Sequence, residues 1–210
     1  GANDSDAIIA SIMTDRVNLI NWIASEKRLV VGTSQEVFTI FSGALSEPIT
    51  PTNIQVDPSS SFGSSEVPPE KIGSFLYYFE GDNRRLRELS YTVVSETFNA
   101  ANKTILSDHI TSGGVIETAF QQSPYGIEYC IRGDGKMATL TREADQQIEG
   151  WTEQAPAGTA AAYKSVAVIP VDSYDEVWFI VSRTIDSKTV QYVEYQINPR
   201  QSEEADLEDM

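Results

Sequence analysis

Cysteine and histidine are almost absent from this chain of 210 residues, which has one of each, Cys130 and His109. A single cysteine excludes an intrachain disulfide, so the fold does not rest on oxidation. Two such residues also argue against a zinc centre, which draws several Cys or His ligands. A Ser-His-Asp or Cys-His nucleophile would have to use His109. Its neighbours Asp108 and Ser107 are merely adjacent in sequence, and adjacency defines no triad. Basic residues are scarce as well: 15 Lys and Arg stand against 31 Asp and Glu, a net charge of −16. That balance opposes sequence-independent binding of nucleic acid, which rests on Lys and Arg contacts to phosphates. It favours solubility and repulsion from other polyanions. No apolar run approaches the roughly 18 residues of a membrane span. The stretch "AIIASIM" is short and no basic region precedes it, unlike a signal peptide.

What the chain does have is aromatic and alternating. With 40% hydrophobic residues, including three Trp, nine Tyr and eight Phe, it can bury a sizeable core. The stretch "LVVGTSQEVFTIF" at 29–41 reads as an apolar strand, a Gly-centred turn and an alternating strand. "FLYYFEGDNRRLRELSYTV" at 75–93 repeats that order, and "GIEYCIRGDGKMATLT" at 126–141 repeats it again with Asp134-Gly135 as its turn signal. "EVWFIVSRTIDSKTVQYVEYQI" at 176–197 is a fourth copy, read with a longer loop. Gly32, Gly81, Gly133 and Asp186 stand 49, 52 and 53 residues apart in turn.

A period near 50 with strands throughout marks propeller blades, each a four-stranded antiparallel sheet. The expected fold is therefore all-β: a β-propeller or part of one, with about four blades, over residues 1–200. Residues 201–210, acidic and without a base, read as a linker or disordered tail. Flanking strands are expected in "RVNLINWI", "ITPTNIQVD", "GVIETAF", "IEGWTEQ" and "SVAVIPV", the last ending near Pro170. The fourth blade lacks an outermost strand after Ile197, which "AIIASIM" could supply. In the second blade, "ETFNAANKTILSDHI" at 96–110 reads as one short helix closed by Gly113-Gly114, with Phe98, Ala101, Ile105 and His109 near helical spacing. "DPSSSFGSSEVPPE" at 57–70 reads as a long surface connection, too polar to pack. A β-sandwich is the competing architecture, although it requires no equal spacing.

Chemistry-bearing patterns are weak. Cys130, inside "IEYCI", reads as a small core residue. Asp172, Asp175 and Glu176 offer oxygens for calcium but match no loop spacing. "GDGK" lacks the Ser or Thr of a phosphate loop. Arg132-Gly133-Asp134 spells a cell-attachment tripeptide, yet its Gly and Asp are what the turn itself requires. Arg84, Arg85 and Arg87 read as partners for neighbouring acids rather than a phosphate grip. Carboxylate pairs for glycoside hydrolysis are not singled out by their surroundings. No residue is assigned to catalysis, to a cofactor or to a metal, and the chain reads as a non-enzyme.

The phrases "INWI", "LVVGTSQEVFTI", "ITPTNIQV" and "GSSEVPPEKIGSFLYYFEGDNRRLRELSYTV" occur in an order that resembles the tail nozzle (tail tubular protein B) family of short-tailed bacteriophages. "LSDHITSGGVIETAFQQSPYGIEYCIRGDGKMATLTREADQQIEGWTEQ" and "SVAVIPVDSYDEVWFIVSRTIDSKTVQYVEYQINPR" extend the resemblance over nearly all of the chain. "TFNAANKTIL" matches loosely. The resemblance implies a virion protein, carried by a phage or encoded by a prophage in a bacterial genome. Several copies would form a ring on a tail adaptor protein at the end of the tail tube, with DNA passing without specific binding. It implies a longer chain, of which this would be an excised and monomeric piece, as the opening Gly1-Ala2 without an initiator Met also suggests. A tail hub protein that plugs packaged DNA is a close alternative. A propeller binding module or glycosidase-like enzyme acting on a carbohydrate is the competitor from another class. The resemblance brings no catalytic residues.

Overall fold

Strand follows strand, and each pairs with its chain neighbour. The computed structural model describes residues 7–9, 12, 18–43, 47–92, 97–143, 146, 148–172 and 174–197. Among these residues there is no α-helix. The first sheet is β1 (Ile20–Ser25), β2 (Leu29–Thr33), β3 (Val37–Ser42) and β4 (Ile54–Ser60). The second is β5 (Glu70–Ile72), β6 (Phe75–Phe79), β7 (Leu86–Thr92) and β8 (Thr97–Asn102). The third is β9 (Val115–Gln121), β10 (Ile127–Arg132), β11 (Met137–Glu143) and β12 (Ile148–Gln154). The fourth has three strands, β13 (Ala162–Val171), β14 (Tyr174–Ile185) and β15 (Lys188–Tyr195). Every pairing is antiparallel and every sheet keeps strict chain order, the blade form expected from the 50-residue period. The fold is all-β and propeller-like in its sheets.

The chain divides into two compact units, Gly1–Leu106 and Ser107–Met210. In the first unit, Trp22, Val30 and Val37 of the first sheet pack against Leu76, Tyr78 and Leu89 of the second. The Trp22 and Tyr78 rings lie 5.7 Å apart, a pairing worth about 1 kcal/mol beyond the area it buries. Gly32 makes room for this core. It lies within β2, and a Cβ there would overlap the Trp22 indole. The turn falls one residue later, where Thr33 and Glu36 exchange backbone and hydroxyl hydrogen bonds of 2.7–3.2 Å. In the second unit, Tyr129, Ile131 and Met137 of the third sheet meet Val166, Val177, Phe179 and Val181 of the fourth. Phe179 stands between the rings of Tyr129 at 5.9 Å and Tyr163 at 5.3 Å. The Asp175 carboxylate ties the two sheets together by accepting the backbone amides of Gln122 and Ser123 at 2.7 and 2.8 Å.

Several expectations are corrected here. The helix over 96–110 is absent. Residues 97–102 are β8, laid along β7 from Thr92↔Thr97 to Arg87↔Asn102, and 105–113 form turns. Pairing along an open strand edge outweighs the weak helical spacing, because it satisfies a row of backbone groups at once. The segment 57–70 is not a surface connection throughout. Residues 57–60 complete β4, and Ser64, Ser65 and Val67 are buried. Burial is tolerated there because the Ser64 amide donates to the Thr33 carbonyl at 2.7 Å and that of Ser65 to Phe79 at 2.8 Å. The fourth hairpin has a short loop, not a longer one. Ile185 pairs with Lys188 across two residues, Asp186 and Ser187, both at positive φ (50° and 63°). That is the backbone of a type I′ turn. Of "AIIASIM", residues 7–9 and 12 are outside any strand and the rest lies outside the described residues, as does the tail 201–210.

Candidate functional site

The charged side chains that drew attention in the sequence are largely committed to one another. Arg87 is buried in β7, its Nε 2.6 Å from Glu80 and its Nη1 2.9 Å from the Ala100 carbonyl, while the guanidinium lies 3.5 Å over the Phe62 ring. Arg85 reaches Glu80 at 3.5 Å and Asp82 at 3.3 Å. The arginine cluster thus serves neighbouring acids, as expected for Arg85 and Arg87. Arg132 is 3% exposed and bonds Asp134, Glu153 and the Ile110 carbonyl. The attachment tripeptide therefore does not present its arginine. Lys136 adds a 2.7 Å contact to Glu153, and these two cations hold the Glu153 carboxyl below its usual range, Lys136 first.

Asp172, Asp175 and Glu176, whose spacing matches no calcium loop, do not gather. Asp175 is engaged by amides, Glu176 accepts the Trp178 indole N–H at 3.0 Å, and Asp172 sits in a turn at φ 44°. No group of three His, Cys, Asp or Glu suited to a metal occurs among the described residues. Cys130 is fully buried in β10, the core position the sequence indicated. His109 is exposed and lies in a turn rather than packed on a helix.

Two features were not legible in the sequence. The first is a cavity of about 590 Å³ in the first unit, at the β1–β2 turn. Its walls include Ser25, Lys27, Arg28, Phe41, Gln55 and Tyr91. The loop from Glu26 to Arg28, closed by the Glu26 amide on the Arg28 carbonyl at 3.0 Å, sets two consecutive cations at the rim. Arg28 lies 3.7 Å over the Phe41 ring and 5.4 Å from that of Tyr91, and Lys27 lies 5.5 Å from Tyr91. The one available signal was a Lys-Arg pair between two strands of an acidic chain. The aromatic partners are distant in sequence and carry no such mark.

The second feature is the outer face of the fourth sheet. Cross-strand register places Ser165, Ala167 and Ile169 of β13 beside Trp178 and Ile180 of β14, and Val193 and Tyr195 of β15. Ile169, Ile180 and Val193 are 48%, 37% and 70% exposed. By contrast β6 is buried over Leu76–Phe79 and β10 over Glu128–Arg132, so these strands are covered on both faces. In β14, Val177, Phe179 and Val181 are buried, whereas Trp178 is half-buried against Tyr195 at 5.2 Å. Nor does β15 carry a fourth strand among the described residues. No family model and no curated protein matches the chain.

Proposed function

We propose that this chain is a structural virion protein of a short phage tail, a nozzle component that assembles with further copies of itself in a ring on a tail adaptor. The observation that carries the reading is the outer face of the fourth sheet. Ile169, Ile180 and Val193 stand there in solvent, on a sheet that among the described residues has one strand fewer than the other three. Contiguous exposed apolar surface of this kind marks an interaction site. Its strands alternate apolar residues on both faces, the pattern of a sheet meant to be covered twice. The resemblance of its ordered phrases to the nozzle family and the net charge of −16 support the same reading, since an acidic protein repels passing DNA instead of holding it.

The test is made on phage particles. Antibodies to this chain are expected to label the tail tip in electron micrographs. The double variant Ile180→Lys, Val193→Glu is expected to fold normally and to be lost from particles. A chain absent from purified virions would reject the proposal. So would a double variant incorporated as well as the native chain, because that leaves the apolar face without its role.

A further inference from the structure

The cavity at the β1–β2 turn is built unlike the rest of this protein. Arg85, Arg87, Arg132 and Arg183 each lie against a carboxylate. Lys27 and Arg28 lie against aromatic rings instead and have no carboxylate partner among the described residues. Stacking fixes a guanidinium in place without neutralising it. Its N–H edge stays available to accept a planar anion in two parallel bonds. The acid nearest in sequence, Glu26, is occupied by the Lys27 backbone amide and by Lys71 at 3.8 Å. The cavity, at about 590 Å³, falls in the range of small-molecule sites. Its remaining wall offers the hydroxyls of Ser25 and Ser42, the amide of Gln55 and one carboxylate, that of Glu47.

We infer that this cavity is a binding site for a small organic anion, whose carboxylate or phosphate group is held by Arg28 and Lys27 while its polar body meets Ser25 and Gln55. Glu26 and Glu47 line the same cavity, so its wall sums to zero charge in a chain of net charge −16, and the anion is held by the stacked Arg28 and by Lys27 rather than drawn by the wall as a whole. The cavity would act in this way whether or not the chain belongs to a virion.

The test is calorimetric titration of the whole chain at low salt with inorganic phosphate, citrate, glucuronate and glucose 6-phosphate, and with glucose as the neutral control. At least one anion is expected to bind more tightly than glucose and to weaken as salt is raised. A preference for glucose 6-phosphate over glucuronate assigns a phosphate ligand, and the reverse assigns a carboxylate. Arg28→Gln is expected to weaken binding by about tenfold, the size of a lost charge-assisted hydrogen bond, and Arg28→Lys by less. Should Arg28→Gln fail to fold, backbone amide shifts of the native chain serve in its place, with changes expected at residues 25–29 and 40–42. Anions that bind no better than glucose overturn the inference. So does an Arg28→Gln chain that folds and binds as the native one does, or a set of shifted amides elsewhere.

Discussion

Two buried phenols show how single residues tune this fold. The Tyr78 hydroxyl lies 3.2 Å from that of Ser60 and its ring packs on Trp22, while the Tyr129 hydroxyl donates to Gln121 Oε1 at 3.1 Å. Burial pushes both phenols up to about 12 from the ordinary 10.0. A raised acid favours the folded state while it is neutral in both states. Above pH 10 the unfolded chain ionises these groups and the folded chain does not, so stability falls until both states are ionised near pH 12. Both are 1% exposed, and for each the rise from 10.0 to about 12 corresponds to a loss of about 3 kcal/mol. Urea unfolding followed from pH 8 to pH 12 is expected to show the decline, and Tyr78→Phe is expected to make it shallower. A flat profile over that interval would place the phenol in solvent. Glu153 works in the opposite sense. Its lowered carboxyl contributes above the ordinary carboxylate range, and the contribution fades as pH falls through the lowered value.

Single strands carry two environments, and β14 separates them most sharply. Val177, Phe179 and Val181 face the shared core, while Trp178 and Ile180 face outward on the same strand. Phe179→Ala is therefore expected to cost about 3–5 kcal/mol in urea unfolding, as large-to-small changes in a packed core do. Trp178→Ala is expected to cost about 1–2 kcal/mol, since half-burial gives up less apolar area. Equal losses would show that the outer face is covered in solution. The four hairpins were legible because alternation and a turn signal at a fixed period are local properties of the chain. The edge strand β8 was not, because "TFNAAN" has little intrinsic preference for a strand and is held by β7. Ser64 and Ser65 misled for a related reason: their polarity suggests solvent, whereas backbone partners from β2 and β6 make their burial affordable. Gly32 reads as a turn residue in sequence, and only the packing of Trp22 reveals its use. The cavity stayed hidden because Arg28, Phe41 and Tyr91 meet only once the first two sheets have formed.

For the molecule as a whole, charge is the dominant property. At 0.1 M salt, fields reach only about 10 Å, yet an excess of 16 negative charges still opposes approach to another polyanion at lower salt. No mobility shift of duplex DNA is expected at low salt, and tight, salt-sensitive binding would overturn the idea of a channel that lets DNA pass freely. Strict chain order in every sheet has a further consequence, which concerns how the chain finds its structure. Among the described residues no strand waits for a partner from far along the sequence, so the closure entropy that slows most all-β proteins is small within each sheet. During synthesis, one sheet can complete its hydrogen bonds before the next has left the ribosome. Folding then becomes a growth process in steps of about 50 residues, one sheet to a step.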